Sequence, residues 1–186
     1  MIVGITGYSG SGKSTVSKVF GEKGFFVADT DKIGHDILMP DGKAYREIVN
    51  HFGESILNPD KTINRKALGT IVFNNNEELL FLNKVTHFYI TEIVKELIKA
   101  HKNIVIDGAL LIESKINLIC DKTIFVSCPI DIRIDRIIKR DNISENEVYL
   151  RLNSQKDDAF YKENCDFEIV NDGLKDILPQ VEEFLS

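Results

Sequence analysis

Short apolar runs and a helical pattern alternate along the first thirty positions of the chain. The β-branched run Met1–Thr6 predicts a buried strand. Apolar residues then recur at helical spacing within Ser14–Lys23, and Phe25–Ala28 is a second short apolar run. Strand, helix and strand in this order predict a βαβ unit at the start of the fold.

The pattern becomes mostly helical from Lys32 to about His101, with breaks at Met39–Gly42 and Asn58–Asp60. This segment is too long for an ordinary crossover between two strands of one sheet. It therefore predicts a helical insertion of the kind that builds a binding site.

Three further strands and three further helices follow this insertion in the pattern. The apolar runs predict strands at Asn103–Asp107, Thr123–Val126 and Phe167–Val170. Helical spacing predicts helices at Ile130–Arg140, about Ser144–Lys156 and Leu174–Leu185. The arrangement predicts an α/β fold with a parallel sheet and helices on both faces.

Composition narrows the class of protein. A chain of 186 residues suits a single α/β domain that carries small insertions. The net charge of −6 argues against general nucleic-acid binding, which needs a basic surface. The three cysteines have no CxxC spacing, so we predict neither a disulfide framework nor a zinc site, and a reducing compartment fits.

The hydropathy pattern also bears on location. No apolar run is long enough for a transmembrane helix, and the first residues lack the basic region of a signal peptide. We therefore expect a cytoplasmic protein that binds neither membrane nor nucleic acid.

A glycine-rich segment directly follows the first predicted strand. Its sequence, GYSGSGKS, matches the pattern G-x-x-x-x-G-K-[ST] between a strand and a helix, which is typical of a P-loop NTPase-type sheet. Glycines let main-chain N–H groups close around a phosphate, and the helix N-terminus adds a positive dipole end. A plain connecting turn is the alternative. The expected ligands of the nucleotide are Gly7, Ser9, Gly10, Ser11, Gly12, Lys13, Ser14 and Thr15.

Two of these residues have specific expected roles. The Lys13 ammonium is expected to reach the β- and γ-phosphates, and the Ser14 hydroxyl to ligate Mg²⁺.

Carboxylates follow two of the predicted strands. Ligands of open α/β sheets bind beyond the carboxyl ends of the strands, where Asp29, Asp31 and Asp107 are predicted. Asp107 follows an apolar run and is typical of a carboxylate near Mg²⁺, with a helix or turn cap as the alternative. In extended geometry Asp29 and Asp31 face the same side, so either is a candidate general base. One of them is alternatively an N-cap for the helix near Lys32, and their spacing leaves the choice open.

The helix predicted after the fourth strand is basic. Arg133, Arg136 and Arg140 follow i, i+3 and i+7 spacing, which places three guanidinium groups on one face. Such a face suits a mobile lid that brings cations to a transferring phosphoryl group. The alternative is a solvated face whose arginines pair with Asp135, Asp141 and Glu145.

Taken in order, these segments resemble those of the dephospho-CoA kinase family over nearly the whole chain. The matching segments are GYSGSGKST, VADTDKIGHDIL, FGESIL, INRKALGTIVF, His87, DGALLIE from Asp107 to Glu113, Arg136 with Arg140, Arg151 with Gln155, and Cys165-Asp166 followed by NDG. Many families have the P-loop, whereas the whole series is much more specific. Phe88 and Ala109 stand where the family has proline, and Cys165 where it has alanine.

The resemblance implies an activity and its substrates. The family transfers the γ-phosphate of ATP to the ribose 3′-hydroxyl of dephospho-CoA, the last step of coenzyme A synthesis, with Mg²⁺ as cofactor. It implies a nucleotide-binding core at 1–31, 102–130 and 158–186, a CoA-binding insertion at 32–101 and a lid at 131–157. We expect a monomer or a weak homo-oligomer.

The resemblance also assigns residues. Its second strand-end aspartate is the base, so the implied catalytic residues are Asp31, Lys13 and Arg140. The implied additional ATP ligands are Arg136, Asn171 and Gly173, and the implied metal ligands are Ser14 and Asp107. The implied acceptor-binding residues are Asp29, Asp31, Arg65, His87, Leu110 and Glu113.

Two other functions compete with this one. Nucleoside monophosphate kinases and shikimate kinases share the P-loop and lid but fit the INRKAL and VADTDKI segments less well. A nucleotide-dependent switch is the second, but a GTPase normally carries N-K-x-D, and Asn83–Thr86 lacks that aspartate.

Overall fold

A parallel sheet of five strands is built from the first and last parts of the chain. The computed structural model describes residues 1–153 and 155–186. The spatial order of the strands is β2-β3-β1-β4-β5, and each neighbouring pair is parallel. The strands are β1 Ile2–Gly7, β2 Phe26–Asp29, β3 Ile104–Asp107, β4 Lys122–Ser127 and β5 Phe167–Val170. All five predicted strands are confirmed to within about two residues at their ends.

The helices alternate with these strands. They are α1 Lys13–Glu22, α2 Thr30–Asp36, α3 Tyr45–Phe52, α4 Arg65–Phe73, α5 Asn76–Ala100, α6 Ile130–Asp141, α7 Glu145–Asn153, α8 Asp158–Asn164 and α9 Ile177–Leu185. Short 3₁₀ helices lie at Glu54–Ile56 and Ile116–Ile119. In the part of the chain that the structure describes, no helix combines the length and apolar character needed to cross a membrane.

Both faces of the sheet are covered, as β4 shows. Successive side chains of a strand point to opposite faces. Ile124 and Val126 pack in a cluster with Phe20 of α1, and that cluster includes residues of α9. Phe125 instead packs with Tyr161 of α8 on the other face. The predicted α/β sheet with helices on both faces is therefore confirmed.

The chain forms two compact units. The sheet unit contains Met1–Asp29 and Ile98–Ser186, and the helical unit contains Thr30–Leu97. The helical unit has a buried core of its own, made of Ile37, Ala44, Ile48, Ile56, Ile63, Leu68, Val72 and Val85. The functional roles predicted for an insertion at 32–101 and a lid at 131–157 stay predictions.

The structure differs from the predicted helices in several places. Helix α8 was not predicted; it is short, and the Asp157 carboxylate caps it by accepting from the Phe160 N–H. Helix α9 starts at Ile177 rather than Leu174, because the Asp172 carboxylate accepts from two main-chain N–H groups and folds that segment into a turn. Helix α7 ends at Asn153 rather than Lys156.

One more difference concerns the boundary between two helices. Helices α4 and α5 are separate, because the Asn75 side chain accepts from the Glu77 N–H at the start of α5. Ser154, which the predicted helix included, lies outside the described residues.

Candidate active site

The glycine-rich loop lies between the carboxyl end of β1 and the start of α1. Gly10 and Gly12 have φ angles of 79° and 85°, in the left-handed region that favours glycine. A Cβ atom at Gly12 would lie 2.1 Å from Asn171 Nδ2, and one at Gly7 would lie 2.4 Å from the Val126 carbonyl oxygen. The loop conformation and its close neighbours therefore require glycine at these positions.

Polar groups of the loop suit an anion. The Lys13 ammonium donates to the main-chain oxygens of Gly7 and Tyr8, at 3.0 and 3.2 Å, which folds it over the loop. The Ser11 hydroxyl is buried and has no hydrogen-bond partner among the described residues. Buried polar groups are normally hydrogen-bonded, so an orphaned hydroxyl inside a glycine cradle fits a loop that receives phosphate oxygens. Ser14 and Thr15 are exposed in the first turn of α1.

Two of the predicted carboxylates lie side by side at the edge of the sheet. Asp107 ends β3 and is the register partner of Asp29, which ends β2, and of Ile5 in β1. Adjacent strands lie about 4.8 Å apart, so Asp107 lies between Asp29 and the start of the glycine-rich loop. Asp107 is 7% exposed, whereas Asp29 is exposed.

A serine that the sequence did not single out holds the buried carboxylate. The Ser17 hydroxyl lies 2.9 Å from Asp107 Oδ2 and 3.1 Å from the Lys13 carbonyl oxygen. A hydroxyl has one proton, and the carboxylate is the stronger acceptor, so we expect the proton to point to Asp107. The sequence contained a signal for this contact. Ser17 is a polar residue on the buried face of α1, next to Val16, and a buried hydroxyl needs a hydrogen-bond partner.

Replacing Ser17 with alanine is expected to lower the free energy of unfolding by about 1–3 kcal/mol, because the buried Asp107 carboxylate loses a hydrogen bond. Urea denaturation measures this change. Ser114→Ala is the matched control, since the Ser114 hydroxyl donates to the main-chain oxygen of Leu110 four residues earlier. Equal losses in the two variants would contradict a special role for the bond to Asp107.

The structure corrects the predicted geometry of Asp29 and Asp31. Helix α2 begins at Thr30, so Asp29 ends a strand and Asp31 lies in the first helical turn. The two residues therefore do not share an extended segment, and the argument that places them on one side is wrong. An acidic residue in a first turn is favourable there, because it faces the positive end of the helix dipole.

Arg136 of α6 donates hydrogen bonds to the main chain of the glycine-rich loop. Its Nη1 donates to the Gly10 oxygen at 3.3 Å, and its Nη2 donates to the Asn171 side-chain oxygen at 3.4 Å. Asn171 Nδ2 in turn donates to the Ser11 oxygen at 2.8 Å. The structure thus brings together four residues predicted for the nucleotide site, Gly10, Ser11, Arg136 and Asn171, and Gly173 follows in the same loop with φ 78°.

Arg133 does not share the surroundings of Arg136. Its guanidinium lies over the Tyr8 ring, 3.9 Å from the ring centre, and the residue is 7% exposed. Burial lowers the pKa of this guanidinium from its ordinary value. Arg133 is therefore a packing residue, and its burial does not agree with the predicted use of this arginine as a cation of a mobile lid. Helical spacing predicts the direction in which Arg133 leaves the helix. It does not predict that the Tyr8 ring packs against the guanidinium there.

Tyr8 and Ser9 connect the glycine-rich loop to the start of α8 and to the segment before it. The Tyr8 hydroxyl donates to the Asp158 carboxylate, and the Ser9 N–H donates to the Gln155 side-chain oxygen at 3.3 Å. Burial and the bond to Asp158 raise the pKa of Tyr8 well above its usual range. The sequence gave no sign of this link, because Tyr8 occupies an unrestricted position of the motif.

Arg140 lies at the end of α6 and is paired. Its Nε and Nη2 donate to the two oxygens of Asp141, at 2.7 and 2.9 Å. The side chain remains 59% exposed. This pairing agrees with the alternative of a solvated face for this one arginine.

The residues predicted for the acceptor are divided between the two units. In the helical unit, Arg65 contacts the His35 ring through Nη2, and His87 is half-buried in α5. In the sheet unit, Leu110 is 54% exposed after β3, and Glu113 is exposed nearby.

Comparison with known proteins decides the family. The family model described as dephospho-CoA kinase matches residues 1–176. The chain belongs to the dephospho-CoA kinase family. The resemblance drawn from the sequence motifs is therefore confirmed.

Individual members of the dephospho-CoA kinase family agree with this. The dephospho-CoA kinase of Fusobacterium nucleatum is 40% identical, covering 99% of this chain and 96% of that protein. That of Carboxydothermus hydrogenoformans is 40% identical, covering 83% of this chain and 77% of that protein. The solved dephospho-CoA kinase from Campylobacter jejuni is 29% identical with a TM-score of 0.68, covering 99% of this chain and 94% of that one.

More distant structures share the fold of the dephospho-CoA kinase family member described here. TT1252 from Thermus thermophilus has a TM-score of 0.86 at 24% identity, covering 100% of this chain and 95% of that one. A shikimate kinase from Bacteroides thetaiotaomicron has a TM-score of 0.55 at 18% identity, covering 100% and 98%. At these identities the likeness shows the α/β fold alone.

Proposed function

We propose that the protein transfers the γ-phosphate of ATP to the ribose 3′-hydroxyl of dephospho-CoA, giving coenzyme A and ADP. The observation that best supports phosphate binding is the glycine-rich loop at the end of β1. This loop contains the buried Ser11 hydroxyl without a hydrogen-bond partner among the described residues, and the Asp107 carboxylate lies on the adjacent strand. Membership of the dephospho-CoA kinase family supports the choice of acceptor. The proposal places the reaction in the cytoplasm.

In this proposal the sheet unit holds ATP. Main-chain N–H groups of the loop and the N-terminus of α1 bind the phosphates, while Lys13 neutralises their charge. The Arg136 guanidinium already contacts the loop oxygens and the Asn171 amide, which orients both groups toward the nucleotide. Gly173 and Asn171 are proposed to lie near the adenine.

Magnesium fits the residues at the edge of the sheet. Ser14 offers a hydroxyl oxygen and Asp107 a carboxylate oxygen, the hard donors that Mg²⁺ prefers when it also binds substrate phosphates. When bound, Mg²⁺ would be held by Ser14 and Asp107 and would neutralise negative charge on the phosphates during the transfer. Ser17 orients the Asp107 carboxylate through its hydrogen bond.

The helical unit is proposed to bind dephospho-CoA. It contains a cavity of about 440 Å³ whose walls are mostly apolar, formed by residues that include Leu38, Ile63, Leu68, Val72 and Leu82. Arg65 and His35 line the same cavity and contact each other. An acceptor with a long, weakly polar arm and a pyrophosphate suits apolar walls with one arginine.

Replacing Arg65 with methionine is expected to raise KM for dephospho-CoA by about 10- to 100-fold, since a charge-assisted hydrogen bond contributes roughly 1.5–3 kcal/mol. KM for ATP is expected to stay within about 2-fold, because ATP is assigned to the sheet unit. Lys66→Met is the matched control, an exposed cation at the next position of α4. Equal effects of the two changes on KM for dephospho-CoA would contradict the assignment of Arg65.

The chemical step is assigned to three side chains. Asp31 accepts the proton of the 3′-hydroxyl, while Lys13 and Arg140 stabilise the charge on the phosphoryl group as it moves. Most of the rate enhancement in such transfers comes from positioning and charge stabilisation.

The function is tested by ADP release with MgATP and a panel of acceptors: dephospho-CoA, AMP, other nucleoside monophosphates, shikimate and none. Release that depends on dephospho-CoA, with a new 3′-phosphate identified by ³¹P NMR of the product, is the expected result. ADP release with another acceptor would contradict the assignment of dephospho-CoA as the acceptor but would still agree with a kinase mechanism. Equal release without acceptor indicates an ATPase.

A further inference from the structure

A single carboxylate joins two arginines at the corner between α6 and α7. Asp141 accepts from Arg140 through both of its oxygens, and Arg151 of α7 also donates to Asp141 Oδ2. The proposed mechanism uses Arg140 but gives Asp141 no role. The cluster therefore raises the question of what Asp141 does.

The corner has other features that hold its shape. Asn142 ends α6 in the left-handed conformation, at φ 51°. The Ser144 N–H donates to the Glu147 carboxylate at 2.9 Å, and the Glu147 N–H points back to the Ser144 hydroxyl at 3.4 Å, which is a capping box for α7. A small core of Ile137, Val148 and Leu152 packs α6 against α7. Folding of the corner thus has little need of Asp141.

The two arginine side chains of the cluster are more exposed to solvent than the carboxylate between them. The side chains of Arg140 and Arg151 are 59% and 42% exposed, whereas that of Asp141 is 23% exposed. The Asp141 carboxylate lies between the two guanidinium groups and attracts both of them. It also offsets the repulsion that would otherwise separate two neighbouring cations.

The charge state of the cluster is stable. The hydrogen bonds from Arg140 and then Arg151 hold the pKa of Asp141 well below its usual range. The bond to Asp141 also raises the pKa of Arg140. Asp141 is therefore an anion and Arg140 a cation throughout the neutral pH range.

We propose that Asp141 is a positioning residue that holds Arg140 and Arg151 together as a two-arginine clamp for the transferring phosphoryl group. The inference rests on the proposed function, in which Arg140 acts on that group. A guanidinium whose Nε edge is fixed by a carboxylate has a defined orientation, so less freedom is lost when it meets a phosphate. Arg151 then adds a second cation from another helix.

The first test is Asp141→Asn. The amide keeps the shape of the side chain but loses its charge, so the arginines are expected to lose their common orientation. We expect kcat to fall by about 10- to 100-fold, the range for a modest misplacement of a reacting group, while KM for both substrates changes less than about 3-fold. Asp141→Glu is expected to recover part of kcat. Asp135→Asn, an exposed change on the same helix, is the control.

A double-mutant cycle tests whether Asp141 acts on the reaction through the arginines or independently of them. If Asp141 acts through the arginines, Asp141→Asn combined with Arg151→Met is expected to be no slower than the slower single variant. Effects on kcat that multiply would overturn the proposal, and so would a kcat of Asp141→Asn at or above that of the wild type. If the wild-type enzyme does not phosphorylate dephospho-CoA, the proposed function is contradicted, which is a different outcome from a failure of the role assigned to Asp141. Thermal denaturation of each variant checks that a loss of kcat is not a loss of folded protein.

Discussion

Lys13→Ala is expected to lower kcat/KM for ATP by at least about 10²-fold, the loss seen when one preorganised donor is removed from a transition state. The Lys13 ammonium lies over the loop, where it donates to the Gly7 and Tyr8 oxygens. In the proposed complex it neutralises the β- and γ-phosphates, and water does not replace it because the loop encloses them. The effect is expected in kcat as well as in KM.

The measurement is steady-state ADP release at varied ATP, with saturating dephospho-CoA. Lys18→Ala is the matched control, since Lys18 is an exposed lysine on the same helix. Thermal melts with and without ATP separate two roles of Lys13. A fall in Tm without ligand reports its bonds to the loop oxygens, and a loss of the ATP-dependent rise in Tm reports its contact with phosphate. Turnover of Lys13→Ala close to that of Lys18→Ala would remove Lys13 from the mechanism.

The strands could be predicted from the sequence because most of them are buried inside the sheet. Parallel strands are buried on both faces, so they read as continuous apolar runs, and β1 and β3 are nearly fully buried. Their spatial order was not predicted, since pairing between β1 and β4 depends on contacts distant in sequence. Helix α8 escaped prediction because it is short and polar, and the signal at its start is the single cap Asp157.

The site was predictable where its chemistry depends on the local chain. Glycine spacing between a strand and a helix is sufficient to identify the phosphate loop, and strand ends are sufficient to place Asp107 near it. The supporting contacts depend on packing between distant segments: Ser17 with Asp107, Tyr8 with Asp158, and Asp141 with Arg151. Each is a polar pair whose members are distant in sequence or lie on different elements, and no pattern along the chain joins them.

The choice between the two carboxylates near the end of β2 is the other prediction with a large effect. Asp29 ends the strand beside Asp107, while Asp31 lies in the first turn of α2. Two neighbouring carboxylates repel, so Asp29 and Asp107 together suit a cation better than a substrate hydroxyl. We therefore propose that Asp29 acts beside the metal, in place of the acceptor-binding role that the resemblance implies. Asp31, two residues further along the chain, is therefore the proposed base for the 3′-hydroxyl.

Asp31→Asn is accordingly expected to lower kcat by about 10²- to 10⁴-fold, the range for loss of a general base, with affinity for ATP largely kept. Asp29→Asn is the matched comparison, because both changes remove one charge at an exposed aspartate two positions apart. Single-turnover kinetics with both substrates bound measures the chemical step, and ATP titration measures binding. We expect Asp29→Asn to act mainly on the dependence of rate on Mg²⁺. Near-normal turnover of Asp31→Asn together with an inactive Asp29→Asn would move the base to Asp29 and leave Ser14 and Asp107 as the metal ligands.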